Sequence, residues 1–210
     1  MKTSGKLRVL LPLLLLPALA QAQGFYVGGS LGYVRLDDDI TAMNSSWDDT
    51  SAAMKIAGGY QVNDMLGMEL QLASLGAYES RGNAYRFNDD FGSFTVVANG
   101  RIPLGNGVAL FGQAGVGIVS VSQHYWVATV SGTTPVLITD DNYHSGTTTQ
   151  LGGGIEVRNL DSMGRGLGFR FGYEQFDFDV DRDYLQNGAL YSRSVSHTID
   201  HTYFEMLYYF

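Results

Sequence analysis

Apolar and polar residues alternate along much of this chain. In the closing stretch, Thr202-Tyr-Phe-Glu-Met-Leu-Tyr-Tyr-Phe210, the residues Phe204, Met206, Tyr208 and Phe210 share one face, and Tyr203, Glu205, Leu207 and Tyr209 share the other. A period of two is the signature of a strand. Seven further segments read the same way, so the pattern predicts eight strands, at roughly 24–36, 51–62, 66–78, 91–103, 107–121, 147–159, 166–178 and 199–210. The chain holds 27 glycines, many of them inside these segments. In a soluble sheet that would weaken the strands. In a small, strongly curved barrel it lets neighbouring strands pass close together.

The connections alternate too. Those after the second, fourth and sixth segments are short and made of turn-forming residues: Asn63-Asp64-Met65, Leu104-Gly105-Asn106-Gly107, and Leu160 to Arg165. Those after the first, third, fifth and seventh are long and polar: Asp37 to Thr50, Glu79 to Asp90, Ser122 to Gly146, and Asp179 to Thr198. This alternation predicts an all-β fold, an eight-stranded antiparallel up-and-down transmembrane β-barrel with three short periplasmic turns and four long extracellular loops. A water-soluble barrel of the lipocalin type is the rival, since periodicity alone does not say which face is inside.

The N-terminus bears on location. Lys2, Lys6 and Arg8 precede a nearly unbroken apolar run from Val9 to Ala20, and Ala20-Gln21-Ala22 offers small residues for a signal peptidase. Residues 1–22 therefore read as a cleaved signal peptide and 23–210 as one barrel domain. The run is shorter than the ~20 residues a spanning helix needs. No second such run follows, so strands must do any spanning. Three of the 13 basic residues leave with the leader, and ten then face 21 acidic ones. That balance argues against nucleic acid as a partner. There is no cysteine, and a closed barrel supplies cohesion without cross-links by pairing its backbone groups.

Parity assigns the faces. Met68, Leu70 and Leu72 read as lipid-facing, with Glu69, Gln71 and Ala73 inward; Leu151, Ile155 and Val157 face out, with Gln150 and Glu156 inward; Leu167, Phe169, Phe171 and Tyr173 face out, with Arg170 and Glu174 inward. The same rule puts Lys55, Gln61, Asn99, Arg101, Gln113 and Glu205 in the lumen. Each mid-strand charge thus lands inside, where a lipid-facing Lys or Arg at the midplane would cost about 2–4 kcal/mol. Phe25, Tyr33, Tyr60, Ile102, Tyr173, Tyr208 and Phe210 lie near strand ends on the lipid face, as an interfacial girdle.

These residues resemble the transmembrane domain of the OmpA-like outer-membrane protein family. Phe25-Tyr-Val-Gly-Gly-Ser-Leu-Gly-Tyr33 is similar to that family's opening strand, and Gly58-Gly-Tyr-Gln-Val-Asn63 followed by Leu66-Gly-Met-Glu69 is the nearest match. Ile102-Pro103, Gly153-Gly-Ile-Glu156 and Phe169-Arg-Phe-Gly-Tyr173 fit as well. Small barrels of the opacity-protein and OmpX-like type are also similar. The resemblance implies a lumen salt-bridge cluster of Glu69, Glu156 and Arg170 able to act as a gate. Asn99 stands where that family carries a Lys, and Lys55, one strand away, is expected to supply the missing charge. A charged lumen that simply fills and rigidifies the barrel is the alternative. The family's periplasmic peptidoglycan-binding domain is not expected here. The final strand, with Phe204, Met206, Tyr208 and Phe210 in one row, resembles the signal by which such barrels are recognised for assembly.

The remaining chemistry is sparse. The long connections are acidic: Asp37-Asp-Asp39, Asp48-Asp49, Asp89-Asp90, Asp140-Asp141 and Asp177-Phe-Asp-Val-Asp-Arg-Asp183. The last misses a Ca²⁺ loop, with Arg182 where Gly is needed and Gly188 where a bidentate Glu belongs. His124, His144, His197 and His201 sit in or beside predicted loops, and Ser194, Ser196 and His197 are neighbours only in sequence. No catalytic residue, metal site or cofactor is expected. The reading is a non-enzymatic outer-membrane barrel of a Gram-negative cell with a structural and surface-interaction role. A small gated pore and an outer-leaflet lipid-modifying enzyme are the alternatives. Its expected partners are outer-membrane lipid and lipopolysaccharide, the barrel-assembly machinery through the last strand, and an extracellular partner the sequence does not identify.

Overall fold

A computed structural model describes residues 24–38, 46–47, 50–82, 85–131, 134–186 and 189–210. The leader segment 1–22 and its cleavage point, together with Asp39, Asp48, Asp49 and Gly188, lie outside the described residues. The elements are β1 (Gly24–Asp38), β2 (Ser46–Trp47), β3 (Thr50–Gln61), β4 (Leu66–Gly82), β5 (Tyr85–Gly105), β6 (Val108–Ser131), β7 (Thr134–Leu160), β8 (Gly166–Gln186) and β9 (Ala189–Tyr209). Each long strand pairs antiparallel with the next, and β9 pairs with β1. The ring of eight is therefore closed, with no free edge in the membrane. The two-residue β2 lies beside β4 through Ser46↔Arg81 and Trp47↔Ser80.

The three short turns stand where the sequence puts them, and side chains hold two of them. Asn63 Oδ1 accepts from the N–H groups of Met65 and Leu66, both at 2.8 Å. Asp161 Oδ1 accepts from Met163 N–H at 2.8 Å and Arg165 N–H at 2.9 Å. The Arg165 and Met163 amides hold the exposed Asp161 carboxyl below its ordinary value.

The other end departs from the sequence reading. Glu79–Asp90, Ser122–Gly146 and Asp179–Thr198 read as polar loops, but the ladders run on through most of them. Pairing continues to Gly82↔Tyr85, Ser131↔Thr134 and Gln186↔Ala189. The physical reason is a change of sign, not of period. On β8 the outward row runs Leu167, Phe169, Phe171, Tyr173 and then Gln175, Asp177, Asp179, while the inward row runs Arg170, Glu174 and then Phe176, Phe178, Val180. Below the boundary the wall is apolar outside and polar inside, as lipid requires. Above it the strands are polar outside and apolar inside, as water requires.

Above that boundary the ring divides. The β7–β8 ladder ends at Thr148↔Phe178, the β1–β3 ladder at Arg35↔Thr50, and the β3–β4 ladder at Met54↔Ser74. Two sheets continue outward, one of β4, β5, β6 and β7 with β2, the other of β8, β9 and β1. Val34, Leu36, Leu75, Tyr78, Phe91, Val121, Phe178 and Ile199 pack in one buried cluster between them.

A bulge in β4 keeps this interior apolar. The register shifts between Ser74 and Ala77, so Leu75 and Tyr78 both point inward. Gly76 has φ +94°, and a Cβ there would run into Ser51 and Val34. Ser51 Oγ accepts the Ala77 N–H at 3.1 Å. Gly76→Ala is expected to lower unfolding free energy by about 1–3 kcal/mol, read by urea unfolding of the refolded barrel. A neutral result would show that the bulge relaxes freely.

Candidate functional site

The lumen is built by parity. Residues two apart on a strand point the same way, and all eight long strands send side chains to the axis. From the turn end upward they form a mouth, two charged layers and the apolar cluster.

Arg170 centres the lower charged layer. Its Nη1 lies 2.5 Å from Glu69 and 3.3 Å from Glu205, and its Nε lies 2.7 Å from Glu156. Tyr26 Oη donates to Glu69 at 2.6 Å, and Gln71 Nε2 donates to the other Glu69 oxygen at 2.7 Å. The guanidinium also lies 5.2 Å from the centre of the Phe111 ring. Each charge here is essentially out of solvent, so each depends on its partners.

The upper layer centres on Glu174. Lys55 Nζ donates to both of its oxygens at 3.0 Å, and Gln150 Nε2 donates at 2.8 Å. Gln113 and His201 Nδ1 complete the shell. Lys55 sits 3.9 Å from the centre of the Tyr203 ring. Gln150 also donates to Gln71 Oε1 at 2.9 Å, which joins the layers.

At the mouth, Arg101 Nη2 reaches Glu156 at 3.1 Å, and Arg158 pairs with Glu156 through Nε and with Gln61 Oε1 at 3.0 Å. Below the apolar cluster, four cations (Lys55, Arg101, Arg158, Arg170) therefore meet four carboxylates (Glu69, Glu156, Glu174, Glu205). Mouth and layers together therefore balance among the described residues, the two mouth arginines offsetting the two surplus carboxylates of the lower layer.

Eleven of the twelve polar residues expected in the lumen, Lys55, Glu69, Arg101, Glu156, Arg170, Glu174 and Glu205 among them, join these networks. Asn99 does not: it is buried, and neither its Oδ1 nor its Nδ2 has a hydrogen-bond partner. Lys55 does not supply the charge Asn99 lacks. Register decides this, because Lys55 pairs with Ala73 while Glu69 pairs with Gly59, four residues lower on the same strand. Lys55 is thereby delivered to Glu174.

Two further lumen residues, Arg158 and His201, complete the networks. Arg158 lies two residues from Glu156, and His201 four from Glu205, so parity alone could have found both. His197 and His201 are buried inside the strands, not in loops. Ser194 and Ser196 point outward while His197 points inward, so that sequence neighbourhood makes no dyad. The aspartates of 177–181 lie in a strand with Asp177, Asp179 and Asp181 facing out. Among the described residues, no group of His, Asp and Glu is arranged to hold a metal ion.

The lipid-facing wall carries its aromatic rows near both boundaries. Phe25 and Tyr60 lie 4.9 Å apart between ring centres, and Tyr208 and Phe210 lie 5.1 Å apart, at the turn end. Tyr33 and Tyr173 stand exposed at the other.

Residues 8–194 match the family model described as an outer membrane protein beta-barrel domain. No curated protein matches the chain. The fold is similar to that of Neisserial surface protein A, with a TM-score of 0.60 and 13% identity, over 90% of this chain and 99% of that one. Ail, the attachment invasion locus protein of Yersinia pestis, aligns with a TM-score of 0.49 and 14% identity, over 89% of this chain and 99% of that one.

Proposed function

The chain belongs to the outer membrane protein β-barrel domain family and lies in the outer membrane of a Gram-negative cell, and from that premise we propose that it is a closed wall that displays ordered surface hairpins, with a structural and surface-interaction role. The observation that carries this reading is the filled lumen. A lumen in which four cations meet four carboxylates is capped by an apolar cluster of Val34, Leu36, Phe91, Phe178 and Ile199, an arrangement that opposes a continuous wet path for ions. The ladders above the boundary meanwhile hold polar outward rows on a rigid frame, the kind of platform from which binding surfaces work.

The leader read over residues 1–22 and the assembly row of Phe204, Met206, Tyr208 and Phe210 fit this reading. Phe204, Met206 and Tyr208 lie on the lipid face of β9, and Phe210 directly follows it, exposed, where an assembly partner in the membrane would meet them. Lipopolysaccharide is the partner this reading assigns to the outward hairpin faces.

Single-channel recording tests the proposal. Refolded, heat-modifiable protein is expected to be silent in planar bilayers. Discrete steps that change in Arg170→Ala and Glu69→Ala would overturn it in favour of a gated pore.

A further inference from the structure

On the outward face above the lipid boundary, β5, β6 and β7 form rungs: Gly92–Ser120–Ser145, Asp90–Ser122–Tyr143 and Asn88–His124–Asp141. Ser122 and His124 lie two apart on β6, so both point outward, and Asp141 is the cross-strand neighbour of His124. Ser122 Oγ stands 3.4 Å from His124 Nε2, and His124 Nδ1 stands 2.7 Å from Asp141 Oδ1. One ring nitrogen faces a hydroxyl and the other a carboxylate, the arrangement that turns a serine into a nucleophile. All three are held by paired strands.

A second observation lies just below. A shallow, open groove of about 820 Å³ lies on the lipid-facing wall beside Ile56, Leu72, Phe94 and Ile118, where the small residues Gly92 and Ser120 make room. Its upper end on β6 is Ser120, two residues and about 7 Å of strand below Ser122. An acyl chain in that groove would present its ester at the level of Ser122.

We propose that Ser122, His124 and Asp141 form a hydrolytic triad that cleaves acyl esters of outer-leaflet lipid whose chain lies in this groove. His124 Nε2 takes the Ser122 hydroxyl proton as Oγ bonds to the ester carbonyl carbon. The resulting oxyanion collapses, the bond to the alcohol oxygen breaks, and the alcohol leaves with the proton held by His124. Water then attacks the acyl-serine, with its proton taken by His124, and the fatty acid and free serine are released. Asn88 and Tyr143 are the neutral side-chain donors on these two rungs, and the proposal assigns the oxyanion to them. Asp90, beside Ser122, opposes it, so Asp90→Asn is expected to raise the rate.

The hydrogen bond to Asp141 raises the pKa of His124, and Asp90 and the inward-facing Asp89 add to this. Arg86 is the cation on the next β5 position outward. The base form of His124 is the active one. Activity is therefore expected to rise with pH through a midpoint above about 6.5, and Asp141→Asn should move that midpoint down.

The test uses the refolded full chain in mixed micelles with p-nitrophenyl butanoate and p-nitrophenyl palmitate, and a fluorophosphonate label read by intact mass. One label per chain is expected in the wild type and none in Ser122→Ala. Hydrolysis should fall at least about a hundredfold in Ser122→Ala and His124→Gln, with heat-modifiable migration confirming their fold. A Cβ on Gly92 would meet only Ser120 Oγ at 3.3 Å and Ala73 O at 3.7 Å, so Gly92→Phe can occupy the groove. It should raise KM for the palmitate about tenfold more than for the butanoate. Folded wild-type protein that takes no label and hydrolyses no faster than Ser122→Ala would overturn the triad. An equal effect of Gly92→Phe on both esters would overturn the acyl groove.

Discussion

Arg170→Ala is expected to cost the refolded barrel about 3–5 kcal/mol of unfolding free energy, the scale for removing one partner from a buried ionic network. The side chain is 1% exposed and holds Glu69, Glu156 and Glu205 at once. Without it, Glu156 keeps Arg101 and Arg158, and Glu69 keeps only the neutral donors Tyr26 and Gln71. Glu205 loses the one cation among the described residues that lies in short contact with it. Replacing Glu69 by Gln as well removes one of the stranded charges, so the double variant should recover part of the loss. Urea unfolding from phosphocholine bilayers measures both. A cost below about 1 kcal/mol would mean that water enters the lumen and solvates the carboxylates, which would favour the pore reading.

Phe171→Arg should destabilise the barrel by about 2–4 kcal/mol, whereas Asp177→Arg, six residues on along the same face of β8, should cost no more than about 1 kcal/mol. Both side chains point outward, and Phe171 is 62% exposed. Geometry does not separate them; the solvent does. Phe171 lies in the apolar band, where a guanidinium has no hydration. Asp177 lies beyond it, where it already accepts from Gln175 and Thr198 side chains at 3.0 and 2.8 Å. The same unfolding series reads the contrast. Equal costs at the two positions would mean that the boundary is not between Tyr173 and Asp177.

That boundary separates what alternation along a strand reveals from what it conceals. Alternation placed Glu69, Glu156, Arg170 and Glu174 inside and Leu70, Phe169 and Phe171 outside, because the period of a strand is fixed by backbone geometry. The same alternation continues through Asp177-Phe-Asp-Val-Asp181, yet the segment reads as an acidic loop. A polar outward row is the mark of a strand in water and of a loop in a barrel that ends at the membrane, so composition misleads where the surroundings change. The bulge at Leu75 and Gly76 hides for a similar reason: one extra residue breaks the period without leaving a motif.

What the sequence determined by itself is what depends on position along one strand: the eight strands, their faces, the three turns and the charged lumen. Tertiary structure decided what depends on register between strands. It gave Lys55 to Glu174 instead of Glu69, left Asn99 without a partner, and put Asp141 on the rung of His124, 17 residues away. A strand's own pattern fixes the face of each side chain, but sliding its neighbour by two residues keeps every face and changes every partner. Turn geometry and the packing of the closed ring choose among those registers.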